Sequence, residues 1–279
     1  MEKVVKDGYV TGARVAELET RLTDADWRVI ELLATVDYAT TGQIERTCVE
    51  GTTPLARPRV TRRSLRRLTD LGVLFRLDRP VGGIGGGSEA GVFTLDRAGW
   101  RLVELRGGSV PRRVRRPEER GLAFLRHSLT VTEHFVALGE RCEELADAEL
   151  LGWTGEPACH RRFTYRGRNL RLSPDALVEV RCGGELVTSF LEVDGGTESL
   201  PTLLGKASGY LRYARLHPRE TPQVVFSFSS SRRATLLRER LPQTARSEGV
   251  RPEVAARLFA LGEAETAVAA LAGEREAPR

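Results

Sequence analysis

Two apolar runs of strand length, Ala176–Val180 and Leu186–Val193, flank Gly183-Gly184 in the C-terminal half of this 279-residue chain. Two such runs around a pair of glycines form the pattern of a tight hairpin, because glycine takes the left-handed backbone that a two-residue turn demands. A sheet therefore has to lie at the centre of this half. The second run ends on Glu192-Val193-Asp194, and the first follows Pro174-Asp175. Side chains alternate along a strand, so Glu192 and Asp194 point to one face. Two carboxylates at the end of an apolar strand are costly to bury without a cation or a basic partner. Asp175 by itself would read as an ordinary turn residue.

A basic partner follows in the chain. Of the 43 basic residues only Lys3, Lys6 and Lys206 are lysines, and the first two lie in a polar N-terminal arm. The chain thus holds forty arginines, and its body a single lysine. Arginine neither gives nor takes a proton near neutral pH, whereas a lysine can. Lys206 falls in a predicted helix over 200–216, with Tyr210 four residues on and so on the same helical face.

The formal net charge is +5, unevenly spread. Between Arg57 and Arg120 there are 16 arginines and 7 acids, a net +9 that leaves −4 for the remainder. Arginine-rich coding accounts for abundance but not for clustering, and clustered basic charge suits a polyanion. No apolar run is long enough to cross a bilayer, and residues 1–20 lack the apolar stretch of a secretory signal. Cys48, Cys142, Cys159 and Cys182 are scattered without a C-x-x-C pair, which reads as reduced packing thiols in the cytoplasm. Cys159-His160 supplies too few ligands for zinc.

In the N-terminal half, Trp27, Ile30, Leu33 and Ala34 recur at helical spacing over 24–36, with Thr23 or Asp24 as cap. Thr40-Thr41-Gly42-Gln43-Ile44 opens a short second helix, and a third runs from about Arg57 to Leu71. Val73–Leu77 and Gly91–Leu95 read as two β segments around the glycine-rich stretch 82–87. That stretch lacks the lysine and the following helix of a phosphate-binding loop, so it reads as a wing tip, with Arg79 placed to reach DNA. Three helices and a hairpin predict a winged helix-turn-helix. On the third helix Arg59, Arg62, Arg63, Arg66 and Arg67 share one side, and Val60, Ser64, Leu65, Leu68 and Leu71 the other. Such a face is often only solvated. As the third helix before a wing, it is better read as the element that enters a major groove.

The expected layout is a flexible arm at 1–20, the winged helix at 21–108, a basic proline-bracketed linker at 109–120, a second domain at 121–262 and a tail at 263–279, alanine- and glutamate-rich, that reads as a loose helix. The second domain is predicted to contain a long helix over 121–146, strands near 149–153 and 161–166, the hairpin, the helix carrying Lys206, a strand at 224–228, a helix from 232 to about 241 and a last strand near 257–260. The fold class is α+β.

That order, with Pro174-Asp175 and Glu192-x-Asp194 on the hairpin, resembles the PD-(D/E)xK nuclease superfamily, whose sheet is restriction-endonuclease-like. The resemblance implies that Asp175 and Glu192 hold magnesium, with manganese as a substitute, and that the metal positions water and neutralises charge on the phosphate. The common lysine two residues after the second acid is Asp194 here, so its role passes to Lys206. Asp194 and Tyr210 complete the candidate site, and Glu133 on the long helix is better read as a solvated charge. His127 and His134 suit core or capping roles. The chain also resembles the replication-relaxation family of bacterial plasmids and integrative elements, through Arg126-His127-Ser128-Leu129, Ser173-Pro174-Asp175-Ala176, Phe190 to Glu198, and Lys206 to Tyr210. This implies double-stranded DNA as partner, together with replication or relaxosome proteins.

Two functions stay open at this level. One is a DNA-binding nuclease or nickase that depends on magnesium. The other is a non-catalytic DNA-binding accessory or regulator that keeps a nuclease-like fold. A scaffold that dimerises through its wing is disfavoured by the outward arginines. A helix-turn-helix that reads two half-sites would act as a homodimer, although no dimer interface is legible.

Overall fold

The computed structural model of the chain describes residues 10–49, 53–77, 91–108 and 121–274. The chain divides into two compact units, Met1–Thr132 and Glu133–Arg279. Among the described residues it is an α+β protein with helices, a mixed five-stranded sheet and smaller antiparallel sheets. No described helix is long and apolar enough to cross a membrane.

The first unit is built from helices α1 (Gly12–Glu19), α2 (Asp24–Val36), α3 (Thr41–Cys48), α4 (Arg57–Asp70) and α5 (Arg97–Leu105), with strands β1 (Ala39–Thr40), β2 (Leu74–Leu77) and β3 (Val92–Leu95). Threonine side chains set two of the helix starts. Thr23 and Asp26 satisfy each other's backbone amides at the head of α2, and Thr40 and Gln43 do the same for α3, so donors that a helix leaves orphaned are paired. Strand β3 pairs antiparallel with both β1 and β2, with Leu74 opposite Leu95 and Leu77 opposite Val92. Trp27, Ile30 and Leu33 of α2, Ile44 of α3 and Leu65 and Leu68 of α4 are buried.

Three expectations change in this unit. Residues 12–19 form a helix with Val15 and Leu18 buried, not part of a flexible arm. Two apolar positions among arginines and glutamates are too few to show a period in sequence. Val60 is 42% exposed, and its expected inward place is taken by Thr61 at 1%. The buried stripe of α4 is Thr61, Leu65 and Leu68, spaced four and three apart, and Val60 lies about 100° off it. The Thr61 hydroxyl can be buried because it donates to the Arg57 carbonyl at 2.8 Å. Finally, the unit boundary falls inside α6 (Leu122–Glu144), beyond the basic linker. Leu125 and Leu129 pack with Tyr38, Leu77 and Val92, and Gln43 Nε2 donates to the Leu129 carbonyl at 3.0 Å. The expected linker at 109–120, the glycine tip and Arg79 lie outside the described residues.

The second unit contains the rest of α6 and a five-stranded sheet in the order β10-β9-β8-β7-β4. Its strands are β4 (Ala148–Gly155), β7 (Ala176–Cys182), β8 (Glu185–Asp194), β9 (Gln223–Phe228) and β10 (Phe259–Gly262). Strands β4, β7 and β8 are antiparallel, while β9 and β10 run parallel to β8. The expected glycine hairpin joins β7 to β8: Gly183 and Gly184 both have positive φ, 58° and 81°, which only glycine adopts without strain. Phe190, Phe226 and Phe228 pack with Leu203, Ala207 and Leu211 of α7 (Leu200–Leu216) and Ala234, Leu237 and Leu241 of α8 (Ser231–Ser247). By strand alternation Glu192 and Asp194 share the Phe190 face.

A separate two-stranded ribbon, β5 (Arg161–Tyr165) and β6 (Arg168–Leu172), tucks Phe163 and Leu172 into this same core. Strand β6 and the helix α9 (Pro252–Leu258) were not expected, and Arg257-Leu258 ends that helix instead of opening the last strand. The loose helix expected in the tail is a packed one, α10 (Ala264–Leu271), with Ala267, Val268 and Leu271 buried. Alanine-rich helices bury little area per residue and leave a weak apolar stripe in sequence.

Candidate functional site

Two elements build the site. Asp175 immediately precedes β7, and its backbone donates to the Leu191 carbonyl at 2.9 Å. Its Oδ2 accepts from the Val193 amide at 2.6 Å, which pins the carboxylate at the end of β8 beside Glu192. The hairpin register produces this: Ala176 faces Leu191, so the next residue outward on β7 meets the next one along β8.

Glu192 is 2% exposed, and each of its carboxylate oxygens accepts one bond from α7. Its Oε1 accepts from the Tyr210 hydroxyl at 2.6 Å and its Oε2 from Lys206 Nζ at 2.9 Å. Lys206 and Tyr210 are four residues apart on a helix whose start is capped by Ser199, so both side chains descend on the same strand end. Lys206 also pairs with Glu198 Oε1 at 2.8 Å, and its side chain keeps 31% exposure.

Burial pushes the Glu192 carboxyl up to about 7, against the pull of Lys206 and with a further push from the negative charge of Asp175. Burial works against the Lys206 charge, but Glu192 and Glu198 outweigh it and hold the ammonium above its ordinary value. Burial and the neighbouring carboxylate together keep the Tyr210 phenol protonated, as a donor must be. Lys206 is thus a fixed positive charge at neutral pH and not a proton shuttle, which revises the acid–base part suggested by its isolation in the sequence.

Asp194, 3% exposed, is held differently. Its Oδ2 accepts from Arg233 Nε on α8 and its Oδ1 from the Gly196 amide at 3.0 Å. Arg233 also donates to the Glu198 carbonyl. Asp194, the acid in the common lysine's place, is therefore an ion-paired strand cap, and Lys206 goes to Glu192. Of the residues singled out in sequence, Asp175, Glu192, Lys206 and Tyr210 come together. His134 is a core residue, with Nε2 2.7 Å from Ser227 Oγ; His127 and Glu133 are half-buried on α6. Glu198 and Arg233 were missed, because a loop acid and a helix arginine among forty carry no signal until the chain folds.

On α4, Arg59, Arg62, Arg63 and Arg66 are exposed. Arg67 is set apart: its guanidinium pairs with Asp26, which is 1% exposed and also accepts from Ser64 Oγ at 3.0 Å. Arg67 seats the helix on α2.

Among the described residues no group of three or more His, Cys, Asp or Glu side chains forms a metal-ligating set. The Asp175–Glu192 pair nevertheless suits magnesium, which is commonly held by one or two carboxylates with water and substrate phosphate completing the shell. Each carboxylate oxygen has a second lone pair, so the bonds from Tyr210 and Lys206 leave acceptor capacity on Glu192.

An α+β chain of two units, one with the arginine-faced helix α4 and the other with paired acids and a lysine at a strand end, is the class that fold and site define. The family model described as replication-relaxation matches residues 30–226, and the chain belongs to that family. No curated protein and no solved structure matches it.

Proposed function

We propose that this chain is a DNA-binding protein of plasmid or mobile-element replication or mobilisation that nicks DNA in a magnesium-dependent reaction. The first unit acts as a winged helix, laying the exposed arginines of α4 along duplex DNA. The observation that carries the cleavage reading is the contact of Lys206 Nζ with Glu192, at 2.9 Å, beside Asp175.

Asp175 and Glu192 would hold the metal, which supplies an activated water and neutralises charge on the phosphate. Lys206, kept protonated and partly exposed, offers its charge to a phosphate oxygen. Tyr210 fixes the Glu192 rotamer from below. None of the four cysteines is in a disulfide, in keeping with a cytoplasmic protein. Replication or relaxosome proteins and a second copy of the chain are the expected partners.

A second reading, a non-catalytic accessory, is favoured by one observation: Asp194 stands where the common lysine would be and is already neutralised by Arg233. Incubation of supercoiled plasmid with magnesium or manganese separates the two. Nicking that Asp175→Ala, Glu192→Ala and Lys206→Ala each abolish, with duplex binding intact, supports the nickase. Binding without cleavage under either metal leaves the accessory. Replacing Arg62, Arg63 and Arg66 together with alanine should remove most duplex binding, and unchanged binding would reject the winged-helix assignment.

A further inference from the structure

The β5–β6 ribbon has two unlike faces. Phe163, Leu170 and Leu172 turn toward the core shared with Tyr210 and Phe190. On the opposite face Arg162 stands directly across from Arg171, and Thr164 across from Asn169. All four are exposed, and a shallow groove runs between them. Thr164 Oγ1 donates to Asn169 Oδ1 at 3.0 Å, so the polar pair satisfies itself. The arginine pair does not: neither guanidinium has an ion-pair partner among the described residues. Like charges directly opposite on neighbouring strands are destabilising. Folding gains nothing from facing them together, whereas a bound polyanion does.

We propose that this ribbon is a second duplex-DNA contact, in which Arg162 and Arg171 grip backbone phosphates. Three observations support a nucleic-acid occupant. The outward face pairs cationic forks, which suit phosphate oxygens, with uncharged hydrogen-bonding groups and no acid. It has no outward aromatic ring on which an unpaired base could stack, so the contact is to backbone and independent of sequence. The ribbon also leads straight into the candidate site: three residues after Leu172 the chain reaches Asp175, and a Cβ on Gly209 of α7 would lie 3.2 Å from Leu172 Cδ2. A duplex gripped here lies on the segment that runs on into Asp175.

The inference rests on the DNA-binding reading above, and one titration series separates the two. Duplex affinity of the full chain is measured between 50 and 200 mM salt for the parent, for Arg162→Ala/Arg171→Ala, and for Arg162→Lys/Arg171→Lys. Each phosphate contact contributes about 0.9 to the slope of log affinity against log salt, so the double alanine variant should lose about two from that slope and become about tenfold less salt-sensitive over this range. The loss should be the same on unrelated duplex sequences, and the lysine variant should restore most of the slope. Both positions are exposed, so an unchanged far-ultraviolet spectrum should accompany the loss. A parent-like slope in the double alanine variant would overturn the ribbon contact while leaving the α4 reading standing. Absence of duplex binding by the parent would overturn both.

Discussion

Tyr210→Phe removes one oxygen from the centre of the candidate site and little else. The ring stays, packed with Phe190, Phe226 and Phe259 at centroid distances of 5.7, 6.4 and 6.5 Å, so no cavity of ring size opens. What goes is the 2.6 Å donation to Glu192 Oε1, inside a site where Glu192 is 2% exposed and water cannot replace it. A hydrogen bond to an ionised group is worth roughly 1.5–3 kcal/mol, and one between neutral partners about 1 kcal/mol.

The cost should therefore depend on pH. The Glu192 carboxyl titrates near 7 in the fold against an ordinary 4.5, so the native state binds that proton more tightly than the unfolded chain. This raised acid favours the fold most below 4.5, and its contribution falls as pH rises through the window up to about 7. Removing the Tyr210 donor moves the upper edge of that window higher still. Urea unfolding followed at pH 8 and pH 5 should give a loss of roughly 2 kcal/mol at pH 8, where Glu192 is ionised, and about half that at pH 5. A variant as stable as the parent at pH 8, or one losing more at pH 5 than at pH 8, would refute the claim that Tyr210 solvates a buried carboxylate.

Other outcomes follow from single contacts. Asp26→Ala strips the acceptor from the Thr23 amide at 2.8 Å, the Thr23 hydroxyl at 2.7 Å and Ser64, and strands Arg67, for a loss of about 3 kcal/mol in denaturant unfolding near neutral pH. Burial acts to raise the Asp26 carboxyl, but the Thr23 bonds and Arg67 outweigh it and hold it below the ordinary 3.8; its stabilisation is complete above that value and disappears as pH falls through the folded pKa, so parent and variant should converge in acid. Two helix glycines should respond with opposite signs to alanine. At Gly99 the new Cβ would sit 2.4 Å from the Val73 carbonyl oxygen and 3.0 Å from Leu95 Cδ2, and the overpacking should cost about 1–3 kcal/mol; at Gly139 nothing lies within 4 Å, and the gain in helix propensity should raise stability by about 0.5–1 kcal/mol in the same assay.

Local pattern carried a large part of the fold. The α2 stripe, a cap at Thr23 or Asp24, the start of α3 and the helix α4 with its arginine side were legible because each depends on neighbours within one or two turns. The β7–β8 hairpin was legible because Gly183-Gly184 and two apolar runs leave few alternatives. The misses share one cause. Helix α1 has only Val15 and Leu18 buried to mark it, and β6 is five residues with two leucines among arginines and an asparagine, so neither has a periodicity strong enough to stand without the surface it packs on; α10, half alanine, was legible only as a loose helix. Val60 was misassigned because a helix wheel gives relative phase, whereas the packing of α4 on α3 and β2 sets which phase faces in.

Sequence by itself determined which acids share a strand face, that one lysine lies a short helix away, and that a basic face is displayed on the third helix; these follow from fixed periods of two and 3.6 residues. Tertiary structure alone decided the partners. Lys206 goes to Glu192 and Glu198, Asp194 goes to Arg233, and Arg67 turns back to Asp26, because charge pairing acts through space between groups that spacing along the chain does not relate. The opposition of Arg162 and Arg171 has the same origin: it exists only once two strands have chosen their register.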